Sequence, residues 1–471
     1  MIRVAFCQHF FYENLGIMML SAQLKLRGHQ VEVFVNDLRS LYKAIELDKF
    51  DLICFSIMTS DVSWALSNAK KIKNINNSIP IAAGGPHTTF FPEFIELNRE
   101  FDIICVGEGD QAIVELAESL DHQTAYTHIN NLTVRDQDNS IIKNPLNPLI
   151  QDLDSLPFAD RELYIKYMYY RKLPITSMVV SRGCPYKCSF CFNHQYNELY
   201  GTSRFRLRSP ENIIEEIKAI QKHKDINLLL FVDSTFNLNA KWCEEFFKKY
   251  KEELNVKFSL NFTAGAMNEK ILDALCDTGN CHTVRFGVEV GNEKHRMEVL
   301  GKPVSNSKIL RAATLLRERD IPIYIFIMFG VPFETEQTAI ETIKLAQLIK
   351  PSFINSALFS PYRGLDVTKL ALENNFITEN DIKKLDNPQF SRMDSVMHLK
   401  DINAIRNIFY FSLAMIHFPF TERFLMKIIH MKCNRLFKCF LLLSHFFQTR
   451  GFVKIGWLRS IVEGFHHRRK D

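Results

Sequence analysis

From residue 1 to 125, short unbroken apolar runs alternate with stretches whose apolar residues recur three or four positions apart. The runs Arg3–Cys7, Gln30–Val35, Leu52–Ser56, Pro80–Ala83 and Asp102–Val106 predict strands. Leu15–Arg27, Val62–Lys73 and Asp110–Leu120 predict helices between and after them. Continuously apolar strands alternating with helices predict a parallel sheet covered on both faces. Five of them predict a flavodoxin-like, doubly wound domain whose ligands bind beyond the strands' carboxyl ends. Glycines fall there: Gly84-Gly85-Pro86 after the fourth strand and Gly107-Glu108-Gly109 after the fifth. Glycine permits positive φ and close backbone approach, so these loops either cradle a ligand or simply turn tightly.

Leu132–Arg135 and Ser140–Lys143 flank a polar Asp136-Gln137-Asp138-Asn139 turn and predict a hairpin, followed by a proline-bearing linker from Asn144 to Pro157. A second alternating series then begins. Its strand candidates are Ile175–Ser181, Asn227–Val232, Lys257–Phe262, Thr283–Val288, Ile323–Met328 and Phe353–Leu358. Helix candidates between them are Pro210–Lys222, Ala240–Tyr250, Asn268–Asp277, Ser305–Arg319 and Thr335–Ile349; Ser209 before Pro210 is a favourable N-cap and N1 pair. Six βα units predict a partial (β/α)₆ barrel with functional groups at the strands' carboxyl ends. After Pro361 the rhythm fades, and from Asp401 the chain reads as helical, interrupted at Pro419 and Gly451. The expected division is a doubly wound domain at 1–125, a hairpin and linker at 126–170, a barrel at 171–365 and a helical C-terminal domain at 366–471.

Composition narrows the partners. Hydrophobic residues are 46% and charged residues 24% of the 471, ordinary for a packed chain. The net charge is +5, but residues 400–471 carry 13 Lys or Arg against 4 Asp or Glu, so the preceding body is slightly acidic. Nucleic acid is therefore not an expected partner. No apolar stretch approaches the ~20 residues that span a bilayer. The first residues have no long apolar run or cleavage signal, and the expected location is the cytoplasm. The tail interleaves Phe424, Leu425, Ile428, Ile429, Leu436, Phe437, Phe440 and Leu441 with Lys427, Lys432, Arg435 and Lys438. A helical cap packed on the barrel with a solvated basic face accounts for this pattern; peripheral contact with the anionic inner face of a membrane is the alternative.

Eleven cysteines are present, and eight are scattered among apolar residues, the pattern of buried free thiols. The other three, Cys184, Cys188 and Cys191, share one loop, Ser181-Arg182-Gly183-Cys184-Pro185-Tyr186-Lys187-Cys188-Ser189-Phe190-Cys191, directly after the first strand of the second series. A reducing compartment and an odd number disfavour a disulfide. Structural zinc wants four closed ligands, with His194 the nearest fourth. Three thiolates suit an iron–sulfur cubane with one iron open to a small molecule, and zinc is the competing metal.

The C-x3-C-x2-C loop with Phe190 before its last cysteine, at the mouth of a partial barrel, resembles the radical S-adenosylmethionine (radical SAM) superfamily. Phe231-Val232-Asp233-Ser234-Thr235-Phe236, Gly287-Val288-Glu289-Val290-Gly291 and Phe329-Gly330-Val331-Pro332-Phe333-Glu334-Thr335 resemble further segments of that family, in order. Ser234 and Val290 depart from its usual residues. Gly84-Gly85-Pro86-His87-Thr88-Thr89 and Val106-Gly107-Glu108-Gly109-Asp110 resemble the cobalamin-binding domain that precedes many such barrels.

The resemblance implies a [4Fe–4S] cluster on Cys184, Cys188 and Cys191, S-adenosylmethionine on its open iron, and cobalamin in the N-terminal domain. Phe190 would lie beside the adenine. Asp233 and Glu289 would anchor the amino group or ribose, the alternative for each being a solvated or helix-capping carboxylate. Arg206, in Arg204-Phe205-Arg206-Leu207-Arg208, would meet the carboxylate, and a solvated basic run is the alternative. Ser56, Thr59, Gly84, Gly85, Gly107 and Glu108 would contact cobalamin. His9 is not spaced for the D-x-H-x-x-G motif, with Gly16 seven positions on, so no histidine lower ligand to cobalt is expected. The commonest outcome of this pairing is methylation of an unactivated carbon of a small-molecule or lipid substrate, with a flavodoxin or ferredoxin as electron donor. Cyclisation, oxidation or rearrangement without methyl transfer is the alternative, and a non-catalytic cobalamin sensor or carrier is the alternative of another class. Substrate choice would rest on the barrel mouth, on Ser360-Pro361-Tyr362-Arg363-Gly364 and on the C-terminal region.

Overall fold

The computed structural model of the protein describes residues 1–453 apart from 168, 169, 172, 204, 387–392 and 433. It contains two compact units: Met1–Leu173 with Glu198–Thr202, and Pro174–Asn197 with Ser203–Lys384 and the C-terminal helices.

The first unit is a seven-stranded sheet in the order β2-β1-β3-β4-β5-β6-β7. Its strands are β1 (Arg3–Gln8), β2 (Gln30–Val35), β3 (Leu52–Ser56), β4 (Ile81–Gly84), β5 (Ile103–Cys105), β6 (Leu132–Arg135) and β7 (Ile141–Lys143). The first five pair in parallel, in the doubly wound order their apolar runs predict. Alternation along β1 shows why the run is apolar throughout. Val4 and Phe6 enter one core with Ile17, Met18 and Leu24, while Ala5 and Cys7 enter the other with Leu41, Phe55 and Ala65. The hairpin β6–β7 does not stand alone. It continues the sheet antiparallel beyond β5, with Ile103 opposite Val134, and so covers that edge.

The second unit contains a six-stranded, all-parallel sheet in the order β15-β14-β13-β12-β11-β8. These are β8 (Ile175–Met178), β11 (Leu228–Phe231), β12 (Phe258–Asn261), β13 (Cys281–Glu289), β14 (Ile323–Phe329) and β15 (Phe353–Leu358), with a separate antiparallel pair, β9 (Ser181–Arg182) and β10 (Arg206–Leu207). Helices between the strands start on side-chain caps: Ser209, Asn239, Asn268, Ser305 and Thr335 each accept a backbone N–H three residues on. The first barrel strand is shorter than the apolar run Ile175–Ser181 predicts. Its ladder stops at Met178, because the Asp233 carboxylate accepts from Val180 N (2.9 Å), Ser181 N (2.6 Å) and Ser181 Oγ (2.6 Å).

Helix Ile402–His417 is buried along most of its length, and helix Asn434–Val453 packs on it through Phe437 and Leu441. That last helix runs through Gly451, where an interruption is expected from the sequence; one helical glycine costs only about 1 kcal/mol. Cys439, grouped above with buried thiols, is exposed. Residues 454–471 lie outside the described residues.

Two consequences for stability are testable. A Cβ at Gly291 would collide with the Glu341 carbonyl and the Thr342 amide, both backbone atoms that cannot swing away. Gly291→Ala should lower stability by about 1–3 kcal/mol, read as a reduced melting temperature. Gly265→Ala, whose Cβ would make ordinary contact with Val304, should stay within about 0.5 kcal/mol of the parent. The second concerns Glu334, fully enclosed in the turn after β14, where its carboxylate accepts from Gly330 N. Burial pushes its carboxyl up to about 8 from an ordinary value of 4.5. The folded chain therefore holds this proton more tightly than the unfolded chain does. Stability from this group is highest below pH 4.5 and falls as pH rises from 4.5 to 8. Chemical denaturation across that window should show the decline, and Glu334→Gln should flatten it.

Candidate active site

The cysteine loop starts where β8 ends, and little of its sequence can make a core of its own. Its shape comes from neighbours. Ser189 N donates to Leu300 O (3.0 Å) and Ser189 Oγ to Val299 O (2.7 Å). Ser189 O accepts from Val367 N at 3.2 Å. Asn197 Nδ2 donates to Cys184 O at 2.8 Å, and Cys191 N donates to Cys188 O at 3.0 Å. Gly301, at φ 61°, lets the following chain press close; a Cβ there would stand 2.8 Å from Lys187 O. These contacts bring Cys184, Cys188 and Cys191 within electrostatic reach of one another. Burial raises the Cys184 thiol and pushes that of Cys188 up to about 12, while the nearby Lys302 ammonium pulls both down. Three sulfurs on one short loop beside a cationic side chain suit a metal cluster, whose positive charge favours the thiolate form. His194, the fourth ligand of the zinc alternative, has its Nε2 at 3.2 Å from Asp366 Oδ2. Phe190 is half-buried in the turn before Cys191.

Around this loop the parallel strands deliver polar groups at their carboxyl ends. Asp233, expected as a cofactor anchor, is buried just beyond β11, and one oxygen is spent on Val180 and Ser181. Its second oxygen is enclosed without a hydrogen-bond partner, and burial lifts the carboxyl to about 6. Glu289 ends β13 at φ 64°, beside a register shift between Gly287 and Glu289. A left-handed glutamate is strained, and here the bulge re-aims it. Its Oε1 meets Lys302 Nζ at 2.8 Å, and the same ammonium donates to Gly287 O at 2.8 Å. Arg206 is not part of a solvated basic run. It lies in β10, paired with Arg182 of β9, and is buried.

In the first unit the carboxyl edge of the parallel strands gathers the remaining candidates. Ser56 Oγ accepts from Asn14 Nδ2 at 3.0 Å, and Thr59 Oγ1 lies 3.2 Å from His87 Nδ1. Gly84 closes β4 with room for a methyl group, so space does not demand glycine there. Gly85 is different: φ is 107° and a Cβ would stand 2.9 Å from Ile57 O. A Cβ on Gly107 would strike the Tyr200 hydroxyl. That hydroxyl also accepts from Glu108 N at 2.9 Å, while Glu108 Oε2 accepts from Ile150 N at 3.2 Å. His9 is held by Asp61 (2.9 Å) and stacked on Trp64.

The sequence reading missed Lys302 and Asn193. Asn193 Nδ2 lies 3.6 Å from Cys191 Sγ and 2.8 Å from Ser234 Oγ. Asn193 follows Cys191 by two residues, so its nearness was available; Lys302 is remote in sequence from every candidate except Glu289.

Comparison with known proteins follows the same division. Residues 178–346 match the model of the radical SAM superfamily, and residues 4–117 match that of the B12 binding domain. The chain is 28% identical over 401 residues to an uncharacterized methyltransferase of Pyrococcus horikoshii, covering 83% of this chain and 84% of the relative. It is 26% identical to the anaerobic magnesium-protoporphyrin IX monomethyl ester cyclase of Rubrivivax gelatinosus, over 74% of this chain and 64% of that protein. In fold it is similar to the radical S-adenosylmethionine methyltransferase TsrM of Kitasatospora setae, solved with cobalamin and a [4Fe-4S] cluster. The TM-score is 0.65 at 17% identity, over 79% of this chain and 78% of the other. With its cysteine loop at the head of a six-stranded parallel sheet and a doubly wound domain ahead of it, the chain belongs to the radical SAM superfamily and carries an N-terminal B12-binding domain.

Proposed function

We propose that this protein is a cobalamin-dependent radical SAM methyltransferase acting on an unactivated carbon of a small-molecule or lipid substrate. The carrying observation is the convergence of Cys184, Cys188 and Cys191 on one buttressed loop in a chain that also bears a B12-binding domain. Relatives named as methyltransferases give the reaction class its support.

When bound, a cluster on the three cysteines supplies the electron that cleaves the C–S bond of S-adenosylmethionine, and cobalamin supplies the methyl group. The chain's own residues set the surroundings. Val299, Leu300, Val367 and Asn197 hold the cysteine loop in shape. Lys302, tied to Glu289 and Gly287, keeps a positive charge beside the sulfurs. Asp233 fixes the chain entering the loop and offers its second oxygen as an acceptor for an ammonium or hydroxyl. Glu289, displaced by the bulge, presents a carboxylate for the same class of group. Gly84, Gly85, Gly107, Glu108, Ser56 and Thr59 line the carboxyl edge where a cobalamin tail would lie. The electron donor is a flavodoxin or ferredoxin, since the reaction consumes reducing equivalents that neither domain generates.

The cyclase relative favours a second reading, in which the same cofactors close a ring or oxidise a substrate without methyl transfer. Anaerobically reconstituted protein, incubated with methyl-labelled S-adenosylmethionine, reduced flavodoxin and host extract, separates the two. The expected result is 5′-deoxyadenosine together with a product carrying the label. An unlabelled product with 5′-deoxyadenosine formed would sink the methyltransferase reading in favour of the second. Cys188→Ala should abolish 5′-deoxyadenosine formation and the brown colour of the reconstituted protein, whichever reaction follows.

A further inference from the structure

Among the described residues, the C-terminal helices bury some of their apolar side chains and leave others exposed. Leu425, Ile429, Phe437 and Leu441 pack inward. Phe411 meets both Phe437 and Phe440, and Asn407 Nδ2 donates to the carbonyls of Ile429 (2.6 Å) and Met431 (2.9 Å). The turns after Phe418 are therefore fixed on helix Ile402–His417 and do not dangle from it. Yet Phe420 is 81% exposed, Phe424 65% and Leu436 70%, with Phe418, Phe440 and Leu443 exposed as well. Leu436, Phe440 and Leu443 follow one helical stripe, with exposed Cys439 between them. Phe418 and Phe420 have ring centroids 6.1 Å apart. Single exposed apolar residues are ordinary, but these six, with exposed Met431 among them, within 26 residues are not.

Charge indicates what covers them. Between Phe418 and Val453 the sequence holds six Lys or Arg and a single acid, Glu422. The Glu422 carboxylate is already engaged by Lys344 (2.7 Å) and Gln347 (2.9 Å). Exposed Arg423 and Lys427 alternate with the aromatics, and exposed Lys432 follows them. A second copy of the chain would bring these same cations against one another. An anionic partner with an apolar interior meets both requirements, because aromatic rings insert at the headgroup level while lysines and arginines pair with lipid phosphates. No described helix is long and apolar enough to cross a membrane, so the contact is with the surface.

We infer that the exposed side chains Phe418, Phe420, Phe424, Leu436, Phe440 and Leu443 of this basic segment, with Arg423, Lys427 and Lys432, dock this protein on an anionic lipid bilayer. Flotation of the full chain with phosphatidylcholine vesicles containing about a third phosphatidylglycerol, and with pure phosphatidylcholine vesicles, tests this independently of the reaction. Binding should require the anionic lipid and weaken with added salt. Lys427→Gln with Lys432→Gln should reduce partitioning about 25-fold, from about fivefold per cation removed. Phe420→Ser with Phe424→Ser should reduce it at least as much, with an unchanged melting temperature because both rings are outside the core. Absence of flotation, or equal flotation with both vesicles, would overturn the inference. So would light scattering that shows a dimer which the Phe420→Ser, Phe424→Ser protein no longer forms.

Discussion

The cysteine loop borrows its conformation. It is short, carries glycine, proline and polar residues, and cannot bury enough apolar surface to order itself. Everything proposed for the site depends on what grips it: the Asp233 carboxylate at its entrance, the Val299 and Leu300 carbonyls at its middle, and Asn197 and Val367 beyond. The grips come from several separate elements of one unit, so the loop takes its shape only once those elements have packed together. Burial makes the Cys184 and Cys188 thiols harder to ionise, and a bound cation would offset that cost.

The same tension between burial and charge recurs elsewhere in this unit. Asp233 and Glu334 are both enclosed carboxyls lifted above their usual range. Asp233 keeps one oxygen bound to backbone and the other without a partner, an arrangement that suits a group poised for a ligand as well as for structure. Glu289 carries its cost in the backbone instead, at a left-handed φ beside a bulge. Lys302 answers both the glutamate and the sulfurs, and so links the β13 bulge to the cysteine loop.

Much of this was legible in the chain. Strand and helix order followed from apolar periodicity, because a strand covered on both faces must be apolar throughout, as Val4 to Cys7 illustrate. The capping residues Ser209, Asn268, Ser305 and Thr335 likewise act through neighbours only three residues away. Other features resisted because their cause is distant. The early end of β8 is imposed by Asp233, more than 50 residues on. Arg206, in a run of arginines that reads as solvated, is buried by pairing with β9. Lys302 earned no notice, since an isolated lysine is ordinarily a surface residue.

The tail shows where the boundary lies. Its sequence by itself determined that the last helices are apolar, aromatic and basic, because composition and local periodicity need no partner. Which apolar positions face inward was decided only by the tertiary structure. Leu436 and Phe437 are adjacent and equally apolar, and the packing of Asn434–Val453 on Ile402–His417 buries the second and exposes the first. A helix with apolar residues on two faces carries no local preference between them. The choice is made by the shape of the surface it meets, and that surface is assembled from elements far away in the chain.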